Sequence, residues 1–188
     1  NNMKVYKFYL FFLLCFSVFL PEIVFADARL FLTQGARQIE EGDRVSVYAR
    51  ISSSDQSINA ITGAVSFSSD LLKLISISKD ESIINFWTEE SRQIRDRIVF
   101  EGVILNPGIQ ADNGVIFKMT FEAKSSGLAS INFIEGGVLA NDGLGSNVLA
   151  SLGSTSIRII RKIPTSVVEK EVPVVVPPKD NNIVQVEP

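Results

Sequence analysis

The chain has 188 residues, a single cysteine, no histidine and a net charge of −3. With no imidazole and one thiol, ordinary zinc sites, histidine-based triads and a disulfide framework are excluded. Oxygen ligands remain, which suit calcium or magnesium, and a mildly acidic balance does not favour nucleic acid or an anionic membrane.

At the N-terminus, Met3 is followed by Lys4 and Lys7 and then by an apolar run from Phe8 to Leu20 that Pro21 breaks. Val24-Phe25-Ala26 supplies a small-residue site before Asp27. This is the layout of a secretory signal peptide over residues 1–26, with cleavage expected after Ala26 and an uncleaved anchor as the alternative. The run is shorter than the roughly 20 residues a bilayer-spanning helix needs. Cys15 lies between Leu14 and Phe16, inside the run rather than after a small residue, so it does not read as a lipidation site. Asn1 and Asn2 precede the expected start. Losing Lys4, Lys7 and Glu22 with the signal takes the net charge from −3 to −4.

Residues 27–163 read as one all-β domain, long enough to bury a real core. Apolar residues alternate with period two in short runs separated by turn residues, the pattern of half-buried strands. "VSVYARI" places Val45, Val47, Ala49 and Ile51 on one face, and "ITGAVSF" does so with Ile61, Val65 and Phe67. "RIVFEGVIL" alternates Ile98, Phe100, Gly102 and Ile104. "VIFKMTFEA" buries Phe117, Met119 and Phe121 and exposes Lys118, Thr120 and Glu122, while "ASINFIE" and "STSIRII" complete the set. Turns are marked by Glu41-Gly42-Asp43, Asn106-Pro107-Gly108 and Asp112-Asn113-Gly114. Pro107 followed by Gly108 suits a type II turn, Pro at the first central position and Gly at the second. About nine strands at these spacings indicate a two-sheet sandwich.

Several stretches are candidates for chemistry. "GGVLANDGLGSN", Gly136 to Asn147, reads as a tight turn, a turn with a contact surface, or a calcium loop. The calcium reading fits least. Aligned on Gly143, the alternate ligand positions hold Val138 and Ala140, only Asp142 fits, and Leu149 stands where a Glu is needed. "IINFWTEES" holds the only tryptophan, Trp87, which reads as packing or as a sugar-stacking face with Phe86 and Tyr48. Arg92, Arg95 and Arg97 around Asp96 read as a solvated loop leading into a strand, or as a site for an acidic partner. Glu40-Glu41 and Glu89-Glu90 are sequence neighbours, unlike glycosidase carboxylates opposed across a cleft. With no nucleophile motif either, catalytic residues, cofactors and resident metals are all expected to be none. From Pro164 to Pro188 the chain carries five of its seven prolines among repeated valines, which reads as a Pro/Val-rich linker or stalk, or as a disordered tail.

The order of "SINAITGAVSFSSDLLKLISISK", "IVFEGVILNPG", "GVIFKMTFEAKSSGLASINFIEGG" and "VLANDG" resembles the bacterial cohesin domains that receive dockerins, over about Leu30 to Ile160. It is most similar to cohesin-like modules of secreted or surface-anchored proteins outside cellulosomes. The resemblance implies a nine-stranded jelly-roll, an immunoglobulin-like β-sandwich related to some carbohydrate-binding modules. It also implies that "GGVLAND" is the eighth strand, in the sheet whose outer face meets dockerin together with the third, fifth and sixth. On that reading Thr62, Ser66, Glu101, Lys118, Thr120, Asn141 and Asp142 supply the partner surface, around an apolar centre of Ala60, Ala64 and Val103. Where cellulosomal cohesins often present Asn and Asp on the third strand, this sequence has Ala60 and Thr62, followed by Ala64 and Ser66.

The expected function is therefore a secreted, non-catalytic module at the cell envelope that docks a dockerin-like or other extracellular protein. It is expected to meet a membrane only through its signal or an anchor elsewhere. A carbohydrate-binding module using Trp87 on a polysaccharide, and a structural spacer or adhesin domain, are the alternatives.

Overall fold

The computed structural model describes residues 27–53 and 56–163; the segments read as signal peptide (1–26) and tether (164–188) lie outside the described residues. Eleven strands follow one another. In order they are β1 (Ala28–Gln34), β2 (Gln38–Glu40), β3 (Arg44–Ser52), β4 (Ile58–Phe67), β5 (Leu72–Ser78), β6 (Phe86–Ile94), β7 (Arg97–Val103), β8 (Gly114–Ala123), β9 (Gly127–Ala140), β10 (Leu149–Leu152) and β11 (Ser154–Ile160). They form a five-stranded sheet, β10-β1-β3-β8-β5, and a six-stranded sheet, β2-β11-β9-β4-β7-β6.

Period-two alternation builds both layers. On β8, Phe117, Met119 and Phe121 are fully buried, and the polar residues between them are partly exposed. On β7, Ile98 and Phe100 point inward and Val99, Glu101 and Val103 outward. The two inner faces meet through aromatic pairs. Phe100 of the six-stranded sheet packs edge-on against Phe117 of the other at 5.0 Å between ring centroids, and Phe67 meets Phe121 at 5.1 Å with the rings tilted. Such contacts add about 1 kcal/mol to the burial of the rings themselves.

The all-β sandwich matches the sequence expectation, but three details differ. Eleven strands replace nine, because β2 and β10 are short edge strands lying parallel to β11 and β1. Three or four residues are too few to show alternation. "ASINFIE" and "GGVLA" are not separate strands but one 14-residue strand, β9. The glycines there make room rather than a break: a Cβ on Gly136 would sit 2.8 Å from side-chain atoms of Leu30 and Leu152. Finally, the Asn106–Pro107 bond is cis, and the Gly108 amide donates to the Leu105 carbonyl at 3.0 Å. Pro107 is thus the third residue of a four-residue turn, the type VI arrangement rather than type II. Gly108 does take the positive φ expected of it, at 75°.

Candidate functional site

The outer face of the six-stranded sheet is where most of the sequence-predicted residues come together. β4 lies between β7 and β9, and β6 flanks β7, so strand register sets the residues in rows. Phe86, Val103, Ala60 and Leu139 form one row. Glu89, Glu101, Thr62 and Gly137 form the next, and Arg92, Val99, Ala64 and Glu135 the third. Ser66 follows, between Arg97 and Asn132.

The centre has low relief because β4 and β9 present small residues there. Ala64 is only 2% exposed, at the floor of a shallow depression of about 290 Å³ whose walls include Thr62, Glu89, Val99 and Glu135. Beneath it Gly63 lets the Phe100 ring approach: a Cβ at that position would stand 2.9 Å from the ring tip. Charges ring this centre in pairs. Arg92 donates to Glu89 at 2.7 Å, and Arg97 lies 3.5 Å from Glu135. The segment containing these arginines is therefore strand β6, a tight turn at Arg95-Asp96 and the start of β7, not a loop leading into a strand. Glu89 and Glu101 face each other in register but lie on an open surface, with Glu89 held by Arg92, rather than across a cleft.

At one end the face becomes apolar. Phe86 is 58% exposed and Leu105 60%, next to the half-buried Val103, Ala60 and Leu139. Leu105 and Leu139 were not among the expected site residues. Period-two reading of "RIVFEGVIL" brings out Val99, Glu101 and Val103 together, but the pairing of Phe86 with Val103 depends on a register with two irregularities in β6.

Two expected contact residues are elsewhere. Lys118 and Thr120 lie on β8, in the five-stranded sheet, and face out on the opposite side of the sandwich. Alternation correctly makes them outward-facing; which sheet they belong to is decided by the pairing of β8 with β3 and β5. Asn141 is at the edge of the face but is engaged internally. It accepts from Asn59 at 3.2 Å and donates to the Pro107 carbonyl at 2.7 Å, tying β4 to the 105–108 turn.

Asp142 serves its own loop. Its carboxylate accepts from the Leu144 and Gly145 amides at 2.8 and 2.9 Å, while Gly143 and Gly145 take positive φ. The Ser146 hydroxyl first, then the backbone amides of residues 144–146, hold its pKa down to about 2. This is the chemistry of an Asx-type turn.

The aromatic strip required for sugar stacking does not assemble. Trp87 is half-buried against the core, with the Lys79 ammonium 5.1 Å above its ring. Tyr48 is on β3 in the other sheet, under the Arg50 guanidinium. Phe86 alone of the three stands well exposed.

No protein-family model matches the sequence, and no curated protein matches it. Solved structures do. A cohesin module from a Clostridium perfringens family 33 glycoside hydrolase superposes with a TM-score of 0.58 at 15% identity, over 71% of this chain and 98% of that one. A non-cellulosomal cohesin from the archaeon Archaeoglobus fulgidus gives 0.57 at 16%, over 72% and 92%. A Clostridium thermocellum cohesin solved as a type I cohesin–dockerin complex gives 0.57 at 17%, over 71% and 99%. Identities this low carry the architecture alone, and on that ground the described domain of this chain has the cohesin fold.

Proposed function

We propose that the chain is a non-catalytic docking module that receives a dockerin-like protein on the outer face of its six-stranded sheet. The observation that carries the reading is the face itself. A low-relief centre at Ala60, Thr62 and Ala64 adjoins an apolar row ending in exposed Phe86, with a rim of charged residues. An apolar centre with a polar rim is what a protein interface requires. The cohesin fold supports it further, since the Clostridium thermocellum protein of that fold is solved with a dockerin bound. In this reading the partner surface comprises Thr62, Ser66, Glu101 and the Phe86–Val103 end, without Lys118 and Thr120.

The test is capture on the immobilised chain, with and without calcium, followed by mass spectrometry. The expected result is a dockerin-like protein from the source organism's envelope or medium, and the calcium-free arm reads whether its retention depends on calcium. Thr62→Arg, on an exposed position, is expected to weaken capture at least tenfold; Lys118→Ala is expected to leave it unchanged. The reverse pattern would move the interface to the other sheet, and no specific capture would sink the docking reading.

The same reading places the module outside the cell, supported by Lys4, Lys7, the apolar run and Ala26. Chain recovered from medium or envelope is expected to begin at Asp27. Recovery in the cytosol beginning at Met3 would overturn this.

A further inference from the structure

A second surface lies at the β11 edge of the same sheet and has a different chemistry. β2 covers only the last three residues of the β11 edge, pairing with Arg158, Ile159 and Ile160. Below it the edge opens into a groove of about 480 Å³ lined by Gln34, Arg37, Leu128, Thr155, Ser156 and Arg158. The walls are fixed. The Arg158 amide donates to the Arg37 carbonyl at 2.9 Å. Thr155 donates its hydroxyl to Gln34 at 2.5 Å, and the Gln34 amide reaches the Ser156 carbonyl at 3.4 Å.

Arg37 and Arg158 are both exposed, and among the described residues neither guanidinium has a carboxylate partner. Arg44, Arg92 and Arg97 each do. Glu40, farther along β2, forms no ion pair with either groove arginine. Two uncompensated planar donors at one groove, on a chain of net charge −3, make a local anion site on an otherwise acidic molecule. Leu128, 59% exposed, pairs in register with Arg158 and puts an apolar surface beside the cation.

We propose that this groove binds an acidic polysaccharide, with Arg37 and Arg158 taking carboxylate or sulfate groups and Leu128 meeting the apolar side of a sugar ring. An open, shallow groove suits a chain passing through rather than an enclosed small ligand. Nucleic acid fits less well, because the lining has no aromatic platform on which bases would stack. On β9, Leu128 lies four residues from Asn132, the register partner of Ser66, roughly 13 Å at strand rise. The groove thus adjoins the Ser66 end of the docking face, but it draws on none of that face's residues, and the proposal stands whether or not the docking reading does.

The experiment is affinity electrophoresis of the full chain through gels containing polygalacturonate, dextran sulfate or neutral hydroxyethylcellulose. Retardation by one or both acidic polymers and none by the neutral one is expected, and the two acidic arms distinguish uronate from sulfate. The R37Q/R158Q double variant should weaken binding at least tenfold, with each single variant intermediate and the melting temperature unchanged. R44Q/R95Q removes the same charge elsewhere and should bind as the parent does. Failure of retardation, equal loss in both double variants, or equally tight binding of single-stranded DNA would each overturn the proposal.

Discussion

Asp142 shows how one residue can look like a ligand and act as a scaffold. Its position beside Asn141 and two glycines fits a turn, a contact or a metal loop equally in sequence. In the structure its oxygen is occupied by the Leu144 and Gly145 amides, and the Ser146 hydroxyl and these amides keep it ionised down to about pH 2. Because the folded pKa lies below the ordinary value of 3.8, the contribution to stability is complete above that value. It is lost as pH falls through about 2. An NMR titration of the Asp142 carboxyl carbon is expected to show a midpoint near 2, and Asp142→Asn is expected to speed amide exchange at Leu144 and Gly145. A midpoint near 4 would remove the loop role. Asn141 makes a similar point: its outward place was legible, but its engagement with Asn59 and Pro107 was not, since those partners are 82 and 34 residues away.

Among the elements, the β6–β7 hairpin combines a legible strand with an illegible partner. β7 announces itself by strict alternation. β6, "FWTEESRQI", has charges at positions of both faces and two register irregularities, as suits an edge strand that must not recruit another sheet. The two strands are joined by Arg95 and Asp96, and Arg95 takes a φ of 59°, the left-handed region that costs a side chain about 1 kcal/mol. Arg95→Gly is therefore expected to raise stability by about 0.5–1 kcal/mol, a melting gain of roughly 3 °C in a domain of this size. Calorimetry checks this, and an unchanged or lower melting temperature would mean that the Arg side chain itself holds the turn. β9 is the converse case. Its Gly136-Gly137 pair looks like a break, but the strand continues, with Gly136 pressed against leucines of the other sheet and Gly137 against the Thr62 methyl on β4, at distances that leave little space for a Cβ.

For the molecule as a whole, the two sheets are joined by their aromatic residues, and the candidate face rests on that joint. Phe100, 1% exposed, packs against Phe117 across the interface and stands directly under Gly63 at the centre of the face. Phe100→Ala is expected to cost about 3–5 kcal/mol, visible as a large fall in the urea midpoint. Partner capture by the fraction still folded should weaken as well, since the floor below Ala64 loses its support. A loss under 1 kcal/mol would show that the core refills around the vacancy.

The sequence by itself determined the inward and outward sides of most strands, the two-layer architecture and the absence of imidazole and thiol chemistry from residues 27–163. These follow from alternation and composition, which are properties of neighbouring residues. The tertiary structure alone decided which outward residues share a surface. Lys118 and Thr62 look alike in sequence, yet one belongs to each sheet. Sheet membership and register are set by hydrogen bonds between residues distant in the chain, and alternation within a strand carries no record of its partner. The groove at Arg37 and Arg158 escaped the sequence for the same reason. Those arginines are 121 positions apart, and they meet only because β2 pairs in parallel with β11.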